Sequence, residues 1–295
     1  MDVSAIIVTH NSRRHLIPCL ERLHRALEGF ASEIWIVDNA SQDGGPEEAH
    51  ARFPGVALVR NEENLGFARA NNQAIMKSSG RYLMFLNPDT RLHPDCVRVL
   101  AAFLKGNHRV GIVGPAVYDD EDFSSVQMSA RRFPSYSTAL FHRYSFITRV
   151  WKNNPWSRRY LQADLDREQP SKVDWVSACC MMARRDALTA IGLFDEGFWM
   201  FAEDVDLCKR AWQSGWEVAY EPRARAVHFI GASKGQVHPR VLMERHRSMW
   251  RYYWKHHRKG ALFSAAVLAG IALRCTFHLT INALRKTQGE DLSRH

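Results

Sequence analysis

The sequence predicts an α/β protein built on a mainly parallel sheet with helices on both faces, and three observations predict it. Short β-branched runs alternate with segments whose apolar residues recur at helical spacing, and the strand runs end in clusters of Asn, Asp, Ser and Thr. With 295 residues and 46% hydrophobic content the chain can bury a full core, as one large domain or two small ones. Sheets of this kind bind ligands beyond the carboxyl ends of their strands, so the polar clusters there are where function is sought first.

Val3 to Thr9 reads as the first strand and ends in Thr9-His10-Asn11-Ser12. Residues 12 to 28 then carry Leu16, Cys19, Leu20, Leu23 and Leu27 at helical spacing. Ile34 to Val37 repeats the strand pattern and ends at Asp38. Val56 to Val59, Tyr82 to Leu86 and Gly111 to Val117 give a third, fourth and fifth strand, with helical segments between most of them. The strand ends are rich in acceptors and poor in glycine. Neither GxGxxG nor GxxxxGK[ST] follows the first strand, which weakens a hydride-transfer or P-loop NTPase reading. Asp89 follows an apolar strand in the Pro-restricted turn Asn87-Pro88-Asp89-Thr90. It suits a hard oxygen ligand for Mg²⁺ or Mn²⁺ bridging a diphosphate, or else a simple turn residue. Asp38 suits either a hydrogen bond to a base or ribose or an Asx-turn with Asn39 and Ser41.

Further along, Gly192 to Asp204 brings an apolar, aromatic approach to two adjacent carboxylates, Glu203 and Asp204. Val205, Cys208, Ala211 and Trp212 recur at helical spacing and Gly215 is placed as a stop, so a helix is predicted from about residue 203 to 214. Both carboxylates then sit in its first turn, where the helix dipole favours the anion while like charge and the Phe198, Trp199 and Phe201 wall disfavour it. Such opposed effects suit one group to orient and the other to take a proton, although acidic residues at a helix start also serve as ordinary caps. Asp206, with Lys209 and Arg210 three and four residues on, reads as a solvated ion-pair partner.

A net charge of +9 calls for an anionic partner: nucleic acid, a phosphorylated substrate or an anionic membrane. The six cysteines show no CxxC spacing and read as reduced and buried, which implies a cytoplasmic location. Asp2 and an immediate strand pattern lack a basic leader, so no signal peptide is expected.

The segments SAIIVTHNS, IWIVDNASQDGG, NEENLGFARANNQAI, YLMFLNPDT, VDWVSACCMMARRDAL and GLFDEGFWMFAEDVDLCKRAWQSGW together resemble glycosyltransferase family 2, with its GT-A fold, over about residues 3 to 230. NLGF followed by Asn71-Asn72, the NPDT turn and the late His228-Phe229-Ile230-Gly231-Ala232-Ser233 look most like its rhamnosyltransferase branch. The resemblance implies that Thr9, Asn11 and Asp38 contact the nucleotide, that Gly66 and Asn71 shape its pocket, and that Asp89 holds Mg²⁺ or Mn²⁺ with His228 close by. It makes Asp204 the base, with Glu203 supporting it or orienting the acceptor. Two departures stand out. Asn87 replaces the usual second acid of the metal motif, and the small-residue run before the acceptor strand is Ser177-Ala178-Cys179-Cys180. Metal coordination then rests on one carboxylate.

From Arg240 to Lys259 seven Lys/Arg stand against Glu244, interleaved with Trp250, Tyr252, Tyr253, Trp254 and three histidines. That mixture suits a membrane interface or a lipid diphosphate, with a solvated helix face as the alternative for some residues; nucleic acid fits the same local composition, but the rest of the chain carries no nucleic-acid module. Ala261 to Leu273 adds thirteen uncharged residues before Arg274, too few to span a bilayer; a peripheral membrane helix is expected, with a core or homodimer helix as the alternative. The expected organisation is a glycosyltransferase domain over 1–239, nucleotide half about 1–118 and acceptor half about 119–239, then a basic, apolar helical extension over 240–295. The expected activity is inverting transfer of a sugar, first L-rhamnose from dTDP-L-rhamnose, to a lipid-linked glycan at the inner face of the cytoplasmic membrane. A UDP-sugar donor and a non-catalytic sugar-nucleotide-binding scaffold are the alternatives. A nucleotidyltransferase would need a glycine- and arginine-rich loop where this chain has THNSRR.

Overall fold

In this computed structural model the chain is described over residues 1–135, 151, 158, 160–161, 165–229 and 238–292, with side chains through 284. The late motif beyond Phe229 and much of the 119–172 region expected to carry acceptor loops lie outside the described residues.

The first four strands are β1 (Val3–Thr9), β2 (Ser32–Asn39), β3 (Ala57–Asn61) and β4 (Tyr82–Leu86), all parallel, and each lies within two residues of the predicted start and end. Next come β5 (Thr90–Leu92), β6 (Val110–Tyr118), β7 (Ala130–Arg131), β8 (Ser171–Lys172), β9 (Trp175–Val176), β10 (Cys180–Arg184) and β11 (Glu217–His228). The main sheet runs β3-β2-β1-β4-β10-β6-β11-β5, with β8 beside β11 and with β7 and β9 forming a separate ribbon. β10 is antiparallel to both β4 and β6, whereas β11 returns parallel to β6.

Eight helices flank the sheet among the described residues: α1 (Arg13–Ala26), α2 (Gly45–Arg52), α3 (Phe67–Lys77), α4 (Cys96–Gly106), α5 (Arg185–Ile191), α6 (Glu203–Gln213), α7 (Pro239–His256) and α8 (Ala261–Leu292). The period-two alternation of β1 divides them. Val3, Ala5 and Ile7 join the core formed with Leu16, Leu20 and Leu23 of α1 and Leu100 and Leu104 of α4. Ile6 faces the opposite core, built with Ala70, Ala74 and Ile75 of α3 and Val205, Cys208 and Ala211 of α6. All parallel strands therefore deliver their carboxyl ends to one edge.

The second core also takes in Tyr252 of α7, so this helix is part of the same packed body. Its polar contacts are as telling. Asp206, read from sequence as solvated, is 0% exposed. Arg210 does pair with it at 2.8 Å, but Lys209 does not; the other partners are Lys255 at 2.8 Å and His256 at 2.7 Å, both from α7. Local spacing on α6 could not show partners roughly fifty residues away. The helix beginning at Ala261 also continues through Arg274, and its Ala261–Leu284 portion is long and apolar enough to cross a membrane.

Candidate active site

The strand ends assemble a polar rim. Thr9 and Asp38 are register partners at the ends of β1 and β2, and both are buried. Asp38 Oδ1 accepts from the Ser41 backbone N–H at 2.9 Å, which realises the Asx-turn and leaves its second oxygen as a further acceptor. Asn11 folds over the same turn: its N–H donates to Ser41 Oγ at 2.9 Å and its Oδ1 accepts from the Gln42 N–H at 2.8 Å. Asn11 and Ala40 hold φ of 50° and 61°, backbone that ordinary side chains rarely adopt and that the loop-to-loop bonds maintain.

Gly66 joins this rim to residues 192–202, the loop that leads into α6 in the half of the chain expected to take the acceptor, called the acceptor loop for that position. Its carbonyl accepts from Asn39 Nδ2 at 3.2 Å, its φ is +85°, and a Cβ there would meet the Trp199 carbonyl oxygen at 2.3 Å. Only glycine permits that approach. The Phe67 N–H donates to the same carbonyl at 2.8 Å, and Trp199 Nε1 donates to the Asn64 carbonyl at 3.0 Å. Asn71, 1% exposed, donates to the Phe67 carbonyl at 2.8 Å and so fixes the first turn of α3. Its neighbour Asn72, given no role from sequence, makes reciprocal bonds with the Phe194 backbone at 2.9 and 3.1 Å and ties the acceptor loop to α3.

Asp89 sits in the turn between β4 and β5, and His228 ends β11. Pairing of β5 with β11 brings them together, with His228 Nε2 3.3 Å from Asp89 Oδ1. Gln127 Oε1 lies 3.2 Å from His228 Nδ1, so it holds the other ring nitrogen. Asp89 Oδ1 is buried without a hydrogen-bond partner, an arrangement that costs stability unless a cation or donor completes it. The donor set, one carboxylate and one imidazole, fits Mg²⁺ or Mn²⁺ whose remaining ligands are diphosphate oxygens and water. Among the described residues no group of three or more His, Cys, Asp or Glu converges on one point. Asn87 contributes through its backbone, donating to the Cys179 carbonyl at 3.0 Å.

Glu203 and Asp204 open α6 after two left-handed residues, Phe201 and Ala202, with φ of 70° and 63°. The observed α6 ends one residue before the predicted limit. Asp204 Oδ2 accepts from the Ala178 N–H at 3.2 Å and Oδ1 from the Val205 N–H at 2.8 Å. Burial raises its pKa, and these two N–H groups and Arg131 oppose the rise. Glu203 is 7% exposed, with Oε2 buried and unpartnered. Burial first, and then the adjacent Asp204 charge, push its carboxyl well above the usual range.

The two carboxylate stations meet at the turn Ser177-Ala178-Cys179. Its Ala178 N–H holds Asp204, while the Cys179 carbonyl accepts from the Asn87 N–H and, at 3.1 Å, from Thr90 Oγ1 on either side of Asp89. The segment Ser177-Ala178-Cys179 is thus the brace between Asp204 and the turn that carries Asp89.

A family model described as "Glycosyl transferase family 2" matches residues 4–192. An N-acetylglucosaminyl-diphospho-decaprenol L-rhamnosyltransferase of Mycobacterium tuberculosis is 32% identical over 270 residues, which cover 87% of this chain and 85% of the relative. Rhamnosyltransferase WbbL of Escherichia coli (strain K12) is 26% identical over 257 residues, covering 85% and 92%. Among solved structures, a mannosyltransferase from Pyrobaculum calidifontis in complex with GDP-Man and Mn²⁺ matches with a TM-score of 0.59 at 17% identity, over 99% of this chain and 80% of that one. GalNAc-T7 with UDP, GalNAc and Mn²⁺ matches with a TM-score of 0.56 at 16% identity, over 87% and 48%.

Proposed function

Because the chain belongs to glycosyltransferase family 2, we propose that it is an inverting, metal-assisted transferase that moves L-rhamnose from dTDP-L-rhamnose to an N-acetylglucosaminyl diphosphate carried on a lipid. The observation that carries this reading is the Ser177-Ala178-Cys179 turn, which fixes Asp204 and Asp89 on two sides of one short peptide. Single displacement with inversion needs those two stations and no covalent nucleophile. Thr9, Asn11 and Asp38 take the nucleotide base and ribose, and Gly66 and Asn71 hold the pocket wall. Asp204 accepts the proton of the acceptor hydroxyl as that oxygen bonds to the anomeric carbon and the bond to the diphosphate breaks. Neutral Glu203 keeps the neighbouring position free of a second negative charge and can donate a hydrogen bond. Asp89 and His228 would hold Mg²⁺ or Mn²⁺, which when bound neutralises charge developing on the leaving diphosphate. The donor choice follows the two rhamnosyltransferase relatives, and the lipid-linked acceptor follows the mycobacterial one. A lipid-linked acceptor and the basic aromatic α7 followed by apolar α8 support a place at the cytoplasmic membrane surface.

The test is transfer to a lipid-linked N-acetylglucosaminyl diphosphate, with dTDP-L-rhamnose and a panel of UDP-sugars supplied with Mg²⁺ or Mn²⁺. Transfer from dTDP-L-rhamnose is expected, and a preference for a UDP-sugar would move the donor to the runner-up. Asp204→Asn should keep donor binding and lose turnover by about a hundredfold to ten-thousandfold. Near-normal turnover of that variant would remove Asp204 from the role of base.

A further inference from the structure

Helix α8 meets protein with a mixed face that holds its polar and charged residues Ser264, Arg274, His278 and Asn282 beside apolar ones, and it turns large apolar side chains away from protein. Ser264, Val267, Ile271, Arg274, His278, Ile281 and Asn282 recur at the spacing of one helix face and are the covered or half-covered positions. Ser264 Oγ lies 2.9 Å from the Tyr253 hydroxyl, and the His278 and His246 rings are 5.7 Å apart. The opposite face carries Leu262 at 91%, Leu273 at 74% and Phe277 at 61% exposure, with Leu284 continuing it at 58%. In a helix that water covers, the outward face is polar, and this one is apolar there instead.

The same contacts set its direction. Moving forward along α8 from Ser264 to His278 moves backward along α7 from Tyr253 to His246, so the two helices form an antiparallel hairpin. At about 1.5 Å per residue, the two contacts are about 21 Å apart along α8 and about 10 Å apart along α7, so the helices cross obliquely and stay in contact over that stretch. In turn, α7 is pinned to the catalytic body by Asp206, by Arg251 and Lys255 on Asp195 at 2.7 Å each, and by Ser248 Oγ donating to the Met200 carbonyl at 2.8 Å. A bilayer core about 30 Å thick cannot take in α8 along its length without also taking in α7 and the ion pairs beneath it. Where the hairpin turns, Arg258 stacks over Trp254 at 4.2 Å and Lys259 over Phe263 at 5.5 Å, the cation and ring mixture that suits anionic headgroups.

We infer that α8 lies in the plane of an anionic bilayer, with the Leu262, Leu273, Phe277 and Leu284 face in the acyl layer, and that it does not cross. The inference rests on the membrane placement proposed above and specifies its geometry. The full chain is mixed with phosphatidylethanolamine–phosphatidylglycerol vesicles and floated on a density gradient. The pair Leu273→Glu with Phe277→Glu should lower the floating fraction at least about a hundredfold, while Met76→Glu, on an exposed residue of α3, leaves it unchanged. Transfer to a soluble acceptor without a lipid chain is unchanged in both, which shows that they fold. A tag after His295, on vesicles with protease added outside, should be cleaved together with the catalytic body. Protection of the tag overturns the in-plane geometry. Undiminished flotation of the double variant overturns the lipid face, as does a dimer in sedimentation that the variant abolishes without loss of flotation, because the face then belongs to a second copy. Normal flotation without sugar transfer to any acceptor overturns the functional reading and leaves this surface standing.

Discussion

Glu203 and Asp204 are adjacent, yet the chain treats them differently. Asp204 receives two backbone N–H groups, whereas Glu203 has Oε2 buried and unpartnered. A neutral Glu203 makes a definite prediction: Glu203→Gln, which copies the protonated acid, should keep turnover within about threefold, and Glu203→Lys should abolish it. A steady-state assay decides, and a loss above a hundredfold in the Gln variant would mean that a charged Glu203 is required. For Asp204 the sign is as clear. Its carboxyl is raised by burial, so it gains a proton at higher pH than an ordinary aspartate near about 3.9, and only the ionised form can act as base. The acid limb of kcat/KM should accordingly have its midpoint above that value, with activity present above the midpoint and lost as pH falls through it. On the diphosphate side, Gln127 orients the His228 ring. Gln127→Ala should weaken Mn²⁺-dependent donor binding about tenfold to a hundredfold, measured by titrating Mn²⁺ at fixed nucleotide sugar.

Helix α7 spans the acceptor loop: Arg251 and Lys255 hold Asp195, Arg240 lies over Trp199 at 4.6 Å, Ser248 bonds Met200 and Arg245 lies over Phe201 at 4.7 Å. Asp206 is its deepest tether: against the opposing effect of burial, hydrogen bonds from His256 and Lys255 and the charge of Arg210 hold its carboxyl down at about 2. Because that value is below the unfolded one, the tether contributes stability above about pH 4 and loses it as pH falls toward 2. Asp206→Asn removes the buried anion on which Arg210, Lys255 and His256 converge and should cost about 1.5–3 kcal/mol, read from denaturant unfolding at neutral pH. The sequence displayed what neighbouring residues decide. The parallel strands, their acceptor-rich ends and the start of α6 were legible because period two, period 3.6 and turn residues are local signals. Asp206 was misread because Lys209 and Arg210 offered an obvious local answer while Lys255 and His256 lie far along the chain. The antiparallel insertion of β10 and the pairing of β5 with β11 were hidden for the same reason, although they bring Asp89 to His228 and Cys179 to Asn87. Asn72 was visible beside Asn71, but nothing in its spacing indicated that it would clasp Phe194.

At the scale of the whole molecule the question is where the catalytic body ends. A boundary at 239/240, drawn from the shift to basic and aromatic residues, would separate Asp206 from Lys255 and His256 and remove Tyr252 from the second core. Among the described residues, a break after 259 cuts the α7–α8 contacts, of which Ser264 with Tyr253 is the clearest polar one. The two truncations should therefore behave differently. Residues 1–259 should fold, remain in solution without detergent, and transfer sugar to an acceptor lacking a lipid chain, since the rim, the Asp89–His228 pair and the tethered acceptor loop are all retained. They should also leave the membrane fraction, because the exposed apolar face departs with α8. Residues 1–238 should fail to fold, because a carboxylate left with Arg210 as its remaining partner and an uncovered core face occur together, a combined cost of several kcal/mol against a total stability of about 5–15 kcal/mol. Thermal unfolding and soluble yield of the two pieces read the outcome. A stable, active 1–238 would place α7 outside the catalytic body, and a 1–259 piece still recovered with membranes would move lipid attachment from α8 to α7.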